Sequence, residues 1–328
     1  MSQTTTSNRS VGIVAGLVAA VAFATSGPVV KPLLVAGWSP GSAILVRLSV
    51  AALLLAGPAA WAVRGRWHVV RDEWRTILGF GVLGVATAST MYYLAVDRLP
   101  VAVALLIEYT GPLLLVAWRW ARDRQAPTRA TLVGAALATG GLVLVLDFTG
   151  SLELDPVGLV FALVSAIGNA GYFAFTGRPS ALPPISLAGA GMAVGALTVA
   201  LVAAVGVLPL AAPDVRVDLL GWQVHWVVPL LVVATVPTAF AYGVSALSVR
   251  LLGERLASFL ALSEVLVAVL LAWALVGEAP LPVQAVGMVL VVAGIALVRR
   301  GTAPPAVEPA LPPAALADTP AYAARTSD

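Results

Sequence analysis

The 328-residue sequence has no cysteine, one lysine and two histidines. Without cysteine there are no disulfides, no iron–sulfur clusters and no thiol chemistry. The histidines, His68 and His225, fall in a loop and at an expected helix boundary. Neither belongs to an HExxH motif or a Cys/His cluster, and there is no Walker A lysine. No metal and no cofactor are expected, and the sequence offers no catalytic constellation for an enzyme. Charge is scarce as well. Only 11% of residues are Asp, Glu, Lys or Arg, where soluble domains carry about 25%. The pI near 9.6 comes from 18 arginines. They fall between apolar runs, so they read as topology signals and not as a nucleic-acid surface.

What the chain has in abundance is apolar surface. Hydrophobic residues make up 60%, and the mean hydropathy is +0.96. Runs of about 20 apolar residues recur, each long enough to cross roughly 30 Å of hydrocarbon as a helix. A membrane barrel would show shorter alternating segments. The fold class expected is therefore all-α and polytopic, with ten transmembrane helices. Their approximate spans are 11–34, 41–63, 76–96, 100–120, 130–147, 156–176, 185–208, 226–248, 256–275 and 281–298. Residues 1–10 are polar and expected to be disordered. So is the tail, 301–328, which has six prolines and no sustained apolar run. Arg9 followed by apolar residues and Ala22-Phe23-Ala24 imitates a cleaved signal peptide. The apolar character continues to Leu34, so a retained helix is the reading.

Orientation follows from the basic residues. An even number of spans puts both termini on one side. That side holds 15 of the arginines, in clusters such as Arg64, Arg66, Arg71 and Arg75, or Arg119, Arg122, Arg124 and Arg129. The opposite side holds Lys31, Arg98 and Arg216, with the acidic Asp147, Glu153, Asp155, Asp214, Asp218 and Glu278. The positive-inside rule then places the N- and C-termini in the cytoplasm. The Lys-poor, Ala-, Val- and Arg-rich composition fits a GC-rich bacterial genome, so the expected location is a bacterial cytoplasmic membrane.

The two halves also match each other. At an offset of 153, Pro127 falls on Pro280, Gly134 on Gly287 and Gly141 on Gly294. Gly12 and Gly158 match at an offset of 146. Two five-helix repeats are expected, 11–147 and 156–298. An odd number of helices per repeat inverts one relative to the other, as in many secondary transporters, whose sites lie between repeats near the midplane.

The stretch Ala24-Thr-Ser-Gly-Pro-Val-Val-Lys-Pro-Leu-Leu, Gly37-Trp-Ser-Pro-Gly, Arg47, Glu108-Tyr-Thr-Gly-Pro112, Ser263-Glu264-Val265, Gly277-Glu278 and Gln284-Ala-Val-Gly287 together make the sequence familiar. Over about 11–300 it resembles the EamA family of the drug/metabolite transporter superfamily. Its Glu-Tyr-Thr-Gly-Pro segment is most similar to the branch of threonine/homoserine exporters. Val265 departs from the proline often found after this glutamate. The resemblance implies efflux of metabolites or amino acids.

Glu108 and Glu264 lead the candidate site residues, because a carboxylate in hydrocarbon is costly and asks for a reason. Each could carry a proton or meet a substrate ammonium; the alternative is that each ties helices together by hydrogen bonds. Arg47 could hold a substrate carboxylate or pair with either glutamate. Lys31 could line a cavity opened by Gly27-Pro28, or snorkel to the interface. Asn169, Tyr92, Tyr109, Tyr172 and Tyr242 are polar groups in apolar helices, suited to a cavity wall or to packing. Gly27, Pro28, Gly111, Pro112 and Pro237 are candidate helix breaks or gates, and Pro229 a weaker one. Gly79-Phe-Gly81-Val-Leu-Gly84 matches a dinucleotide fingerprint but lies inside a span with no preceding strand, so it is rejected. Gly12-x-x-x-Gly16 and Gly191-x-x-x-Gly195 read as close helix packing.

The expectation is a secondary transporter that exports a small polar metabolite or amino acid by alternating access. Protons are a candidate coupling ion, and a homodimer stays open. An importer or multidrug exporter of the same fold is the alternative within transport. A membrane enzyme or lipid flippase is the alternative of another class.

Overall fold

In hydrocarbon a backbone without water must satisfy its own polar groups, and a helix does so within one segment. The computed structural model of the protein describes residues 2–123, 128–146, 154–176, 178, 180–219, 221–261 and 263–301, nearly all in helices. Arg124, Asp147, Glu153 and the Pro-rich tail beyond Gly301 lie outside the described residues. Helices α1 (Ser2–Ala24) and α2 (Ser26–Val35) form the first span, and α3 (Pro40–Ala62) the second. A short α4 (Trp67–Asp72) precedes the third, which is built from α5 (Trp74–Gly79), a π-helical segment Phe80–Thr87 and α6 (Ala88–Arg98). The fourth expected span is divided into α7 (Val101–Glu108) and α8 (Gly111–Asp123). Then come α9 (Arg129–Leu146), α10 (Pro156–Thr176) and α11 (Pro184–Ala204). A hairpin of β1 (Arg216–Leu219) and β2 (Trp222–His225) precedes α12 (Val227–Ala234), a second π-helical segment Thr235–Phe240 and α13 (Ala241–Ala261). The last described elements are α14 (Ser263–Val276) and α15 (Pro282–Gly301).

Six helical stretches among the described residues are long and apolar enough to cross a membrane: Arg9–Val35, Pro40–Ala62, Trp74–Arg98, Pro156–Thr176, Pro184–Ala204 and Val227–Ser245. Three shorter apolar helices, Arg129–Leu144, Ser263–Val276 and Pro282–Val298, join them. Every expected span is therefore helical, but they are not ten uninterrupted helices. Leu53, Val35 and Leu270 are each more than half exposed on this bundle, as surface meant for lipid tails would be.

Other boundaries differ from expectation for local reasons. α1 starts at Ser2, so the polar stretch expected to be disordered is helical; no Gly or Pro interrupts 2–11, and extending a helix costs far less than starting one. α13 runs on to Ala261 through the expected loop at 249–255. Ser248 and Leu260 nevertheless both lie against Gly16. Twelve residues of straight helix would separate them by about 18 Å, so the chain doubles back between them. The hairpin was not expected. It closes through Gly221 at φ +80, whose N–H is capped by Asp218 Oδ1 at 2.8 Å.

The helix starts follow capping rules. Ser39 accepts from Ser42 N at 3.2 Å with Pro40 behind it. Asp155 opens α10 by accepting from Val157 N at 2.8 Å, and Arg98 binds its other oxygen at 3.2 Å. The Val157 N–H first, and then the Arg98 side chain, hold the Asp155 carboxyl below the usual carboxylate range.

Glycines set how closely the helices pack, and their contacts follow the offsets in the sequence. α9 crosses α15 with Gly134 against Gly294 and Gly141 against Gly287. Each glycine thus meets the counterpart of the other, as contacts across a twofold axis do. Gly158 packs on Leu99, and its counterpart Gly12 packs on Leu252, which is 153 residues after Leu99. The π-helical segment Phe80–Thr87 maps at the same offset onto 233–240, where the second one, Thr235–Phe240, lies. The rejected fingerprint packs in the same way, with Gly79 on Phe175, Gly81 on Val194 and Gly84 on the Tyr172 backbone.

A Cβ on Gly141 would stand 2.5 Å from the Gly287 carbonyl oxygen, whereas nothing lies within 4 Å of one on Gly140. Gly141→Ala should therefore destabilise the detergent-solubilised protein by about 1–3 kcal/mol. Gly140→Ala should leave it unchanged or slightly more stable. Thermal unfolding of the two variants side by side checks this.

Candidate functional site

Interrupted helices expose polar groups where the two halves meet. The first span breaks at Thr25, whose hydroxyl donates to Ala22 O at 2.7 Å. Pro28, three residues on, has no N–H to return to the preceding turn. Gly27 is also a close-contact point, since a Cβ there would strike the Tyr92 hydroxyl and Val101. The fourth span breaks at Tyr109–Thr110, directly after Glu108. There Thr110 N and Thr110 Oγ1 both bond Ile107 O, at 3.0 and 2.7 Å. The expected breakers Gly111 and Pro112 stand at the first two positions of α8, where proline is tolerated. Gly111 brings α8 onto α10, with room for a Cβ taken by Ala166 O at 2.7 Å and Asn169 Oδ1 at 2.8 Å.

Between these breaks lies a cavity of about 410 Å³. Its wall includes Glu108, Glu264, Arg47, Asn169, Tyr92, Tyr109, Tyr172 and Tyr242. These come from the third, fourth, sixth, eighth and ninth expected spans and the helix carrying Arg47. At one end the cavity reaches the exposed Thr176, Arg178 and Ser180, between α10 and α11. Rings line one side in series: Phe23 meets Tyr242 at 5.1 Å, Tyr242 meets Tyr172 at 6.3 Å, and Tyr172 meets Phe80 at 5.6 Å between centroids.

The polar groups are individually held. Tyr109 donates its hydroxyl proton to Glu264 Oε2 at 2.5 Å. Glu108 faces Ser165 and Asn169 on α10. Asn169 Oδ1 is buried and accepts no hydrogen bond from the described residues. Arg47 is only 7% exposed. Its Nε donates to Thr238 Oγ1 at 2.8 Å, and its guanidinium lies 5.3 Å from the Tyr93 ring centre.

Thr238 was not a sequence candidate, yet proline chemistry accounts for it. Pro237 cannot donate to Val233 O, four residues back. The Thr238 hydroxyl takes that carbonyl instead, at 2.7 Å, and turns its lone pair to Arg47. Pro237 therefore acts within the π-helical segment by freeing a carbonyl, not as a break between helices. Ser89, Phe23, Phe80 and Phe175 also line the cavity unforeseen; one helical face of ordinary residues carries no signal of which side is hollow. Lys31 does not line it. Its ammonium binds Val96 O and Leu99 O at 2.7 and 2.6 Å and Glu278 at 3.4 Å.

A helical bundle of apolar segments around a cavity with charged groups in its wall is compatible with a membrane transporter. The EamA-like transporter family model matches residues 10–147 and again 156–300. The chain belongs to that family, and so to the drug/metabolite transporter superfamily. No curated protein matches the sequence. A solved crystal structure of a protein is similar at 19% identity with a TM-score of 0.56, covering 92% of this chain and 99% of its own. At that identity the likeness shows the fold alone.

Thr238→Val would keep the shape at this fully buried position and leave Arg47 Nε without its acceptor. A loss of about 1–3 kcal/mol is expected. Thr235→Val, which removes a hydroxyl bonded only within its own helix, should change stability by less than about 0.5 kcal/mol. Unfolding of both variants in detergent measures the difference.

Proposed function

We propose that the protein is a secondary active transporter that exports a small polar metabolite or amino acid from the cytoplasm, driven by proton antiport through Glu108 and Glu264. The observation that carries this reading is that both glutamates, Arg47 and the unpartnered Asn169 oxygen are gathered into one cavity. Two carboxylates and a guanidinium match the two ends of a zwitterion. The Asn169 oxygen offers an acceptor that none of the described residues uses. The roughly 410 Å³ of space lies within the range of small-molecule pockets, about 300–1,000 Å³.

Two inverted five-helix repeats meeting at this cavity would let the halves rock about it. The cavity reaches the surface at Arg178, on the arginine-rich side. With that side in the cytoplasm, substrate would load from inside, as export requires. The series of rings from Phe23 to Phe80 favours a second reading, a multidrug exporter whose substrates have a larger apolar body.

The test is a panel of amino acids, other polar metabolites and lipophilic cations, with the protein reconstituted in vesicles under an imposed proton gradient. Glu108→Gln and Glu264→Gln keep the side-chain shape and remove the charge. Each should lower gradient-driven transport at least about tenfold, and at least one should abolish its dependence on pH. Wild-type rates and pH dependence in both variants would sink the coupling. Transport of the cations alone would favour the second reading.

A further inference from the structure

The cavity reaches the surface at one end; at the other it is roofed by a network that uses the lysine and the last acidic residue before α15. Lys31 stands on α2, five residues beyond the cavity residue Ser26. Val96 follows Tyr92 by four residues on α6, and Val101 precedes Leu105 by four on α7. At about 1.5 Å per residue, all three lie roughly 6–8 Å above the cavity wall, on the arginine-poor side. At that level Lys31 binds the carbonyls of Val96 and Leu99 and pairs with Glu278 Oε1 at 3.4 Å. Glu278 Oε2 accepts from Val101 N at 2.7 Å.

The chemistry of each contact is complementary. Val96 O and Leu99 O belong to the end of α6, where carbonyls lack helical donors and a cation is favoured. Val101 N is the first amide of α7, where an anion is favoured. Glu278 is aimed there by Gly277, which ends α14 at φ +79 with Glu278 N bonded to Ala272 O at 3.3 Å. One ion pair thus joins α2, α6 and α7 of the first half to the end of α14 in the second. Both side chains are largely buried, at 14% and 20% exposure. Above it Trp38 meets Trp226 in a tilted contact, 4.9 Å between ring centres, and donates to Pro213 O at 2.9 Å.

The opposite end has no matching pair in the sequence. The offset of 146 carries Lys31 onto Gly177, and the offset of 153 carries Glu278 back onto Gln125. Neither residue is charged.

We infer that Lys31 and Glu278 form a one-sided latch that closes the cavity on the arginine-poor face and sets its resting opening to the arginine-rich face. The inference takes the cavity of the proposed carrier as its starting point, but its readout is access and not transport, so the two can fail separately. The chain has no cysteine, so a single Ser89→Cys substitution places one reactive thiol in the cavity wall. A membrane-impermeant maleimide is applied to right-side-out and to inverted vesicles. With the latch intact, Ser89→Cys should label from one side only. Adding Lys31→Gln or Glu278→Gln should raise labelling from the other side at least about tenfold, and the double variant should do no more than either single one, because both remove the same contact. Lys31→Arg, which keeps the charge and the donors, should stay closed. Unchanged labelling from the first side shows that each variant is folded. Wild-type sidedness in both glutamine variants, or additive effects in the double variant, would overturn the latch.

Discussion

A backbone carbonyl or amide left without its helical partner inside a membrane must find another partner within the protein. Much of what distinguishes this chain from a plain helical bundle answers that demand. Pro237 frees Val233 O, the Thr238 hydroxyl takes it, and the same hydroxyl then holds Arg47 at the cavity. At the far end of the cavity, the terminal carbonyls of α6 draw in Lys31, and the first amide of α7 draws in Glu278. The polar side chains of the transport region are in this sense consequences of where helices stop. Two charged residues, Arg47 and Lys31, are fixed by main-chain ends or by a hydroxyl that serves one.

Packing supplies the second half of the argument. With lipid on one side and helix on the other, association depends on close fit more than on expulsion of apolar surface from water. Gly134, Gly141, Gly287 and Gly294 let α9 and α15 approach until backbone meets backbone. Gly111 does the same between α8 and α10, at the break beside Glu108. A glycine read from sequence as a helix breaker thus works here as a spacer of zero width, and the break itself falls two residues earlier, where Pro112 leaves Glu108 O without its donor.

The apolar runs and the offsets were legible because they are one-dimensional properties: length, composition and spacing. The positions of Glu108 and Glu264 in apolar sequence were legible for the same reason. What could not be read was partnership. Nothing distinguishes Thr238 from other hydroxyls in the sequence until Arg47, 191 residues away, is seen beside it. Lys31 could be read as lining a cavity opened by Gly27-Pro28 or as snorkelling, because its direction depends on the end of a helix 65 residues on. The hairpin at 216–225 was missed because a four-residue strand between two spans is too short for alternation to stand out. The π-helical segments follow the repeat, yet no residue pattern announces them.

The crossed contacts of α9 and α15 have one more consequence. Each of these helices ends a half, and each carries a surface that fits the other's counterpart turned about a twofold axis. A free half would present that surface to a second copy of itself, and under the proposed inverted topology that copy would sit upside down in the same membrane. Such a pair of identical chains would have to show the same residues to both sides of the bilayer. Joining the halves in one chain lifts that obligation. A lysine and a glutamate can then pair across the halves while the sequence positions that match them hold glycine and glutamine, so a device made from two equal parts need not be the same at both ends.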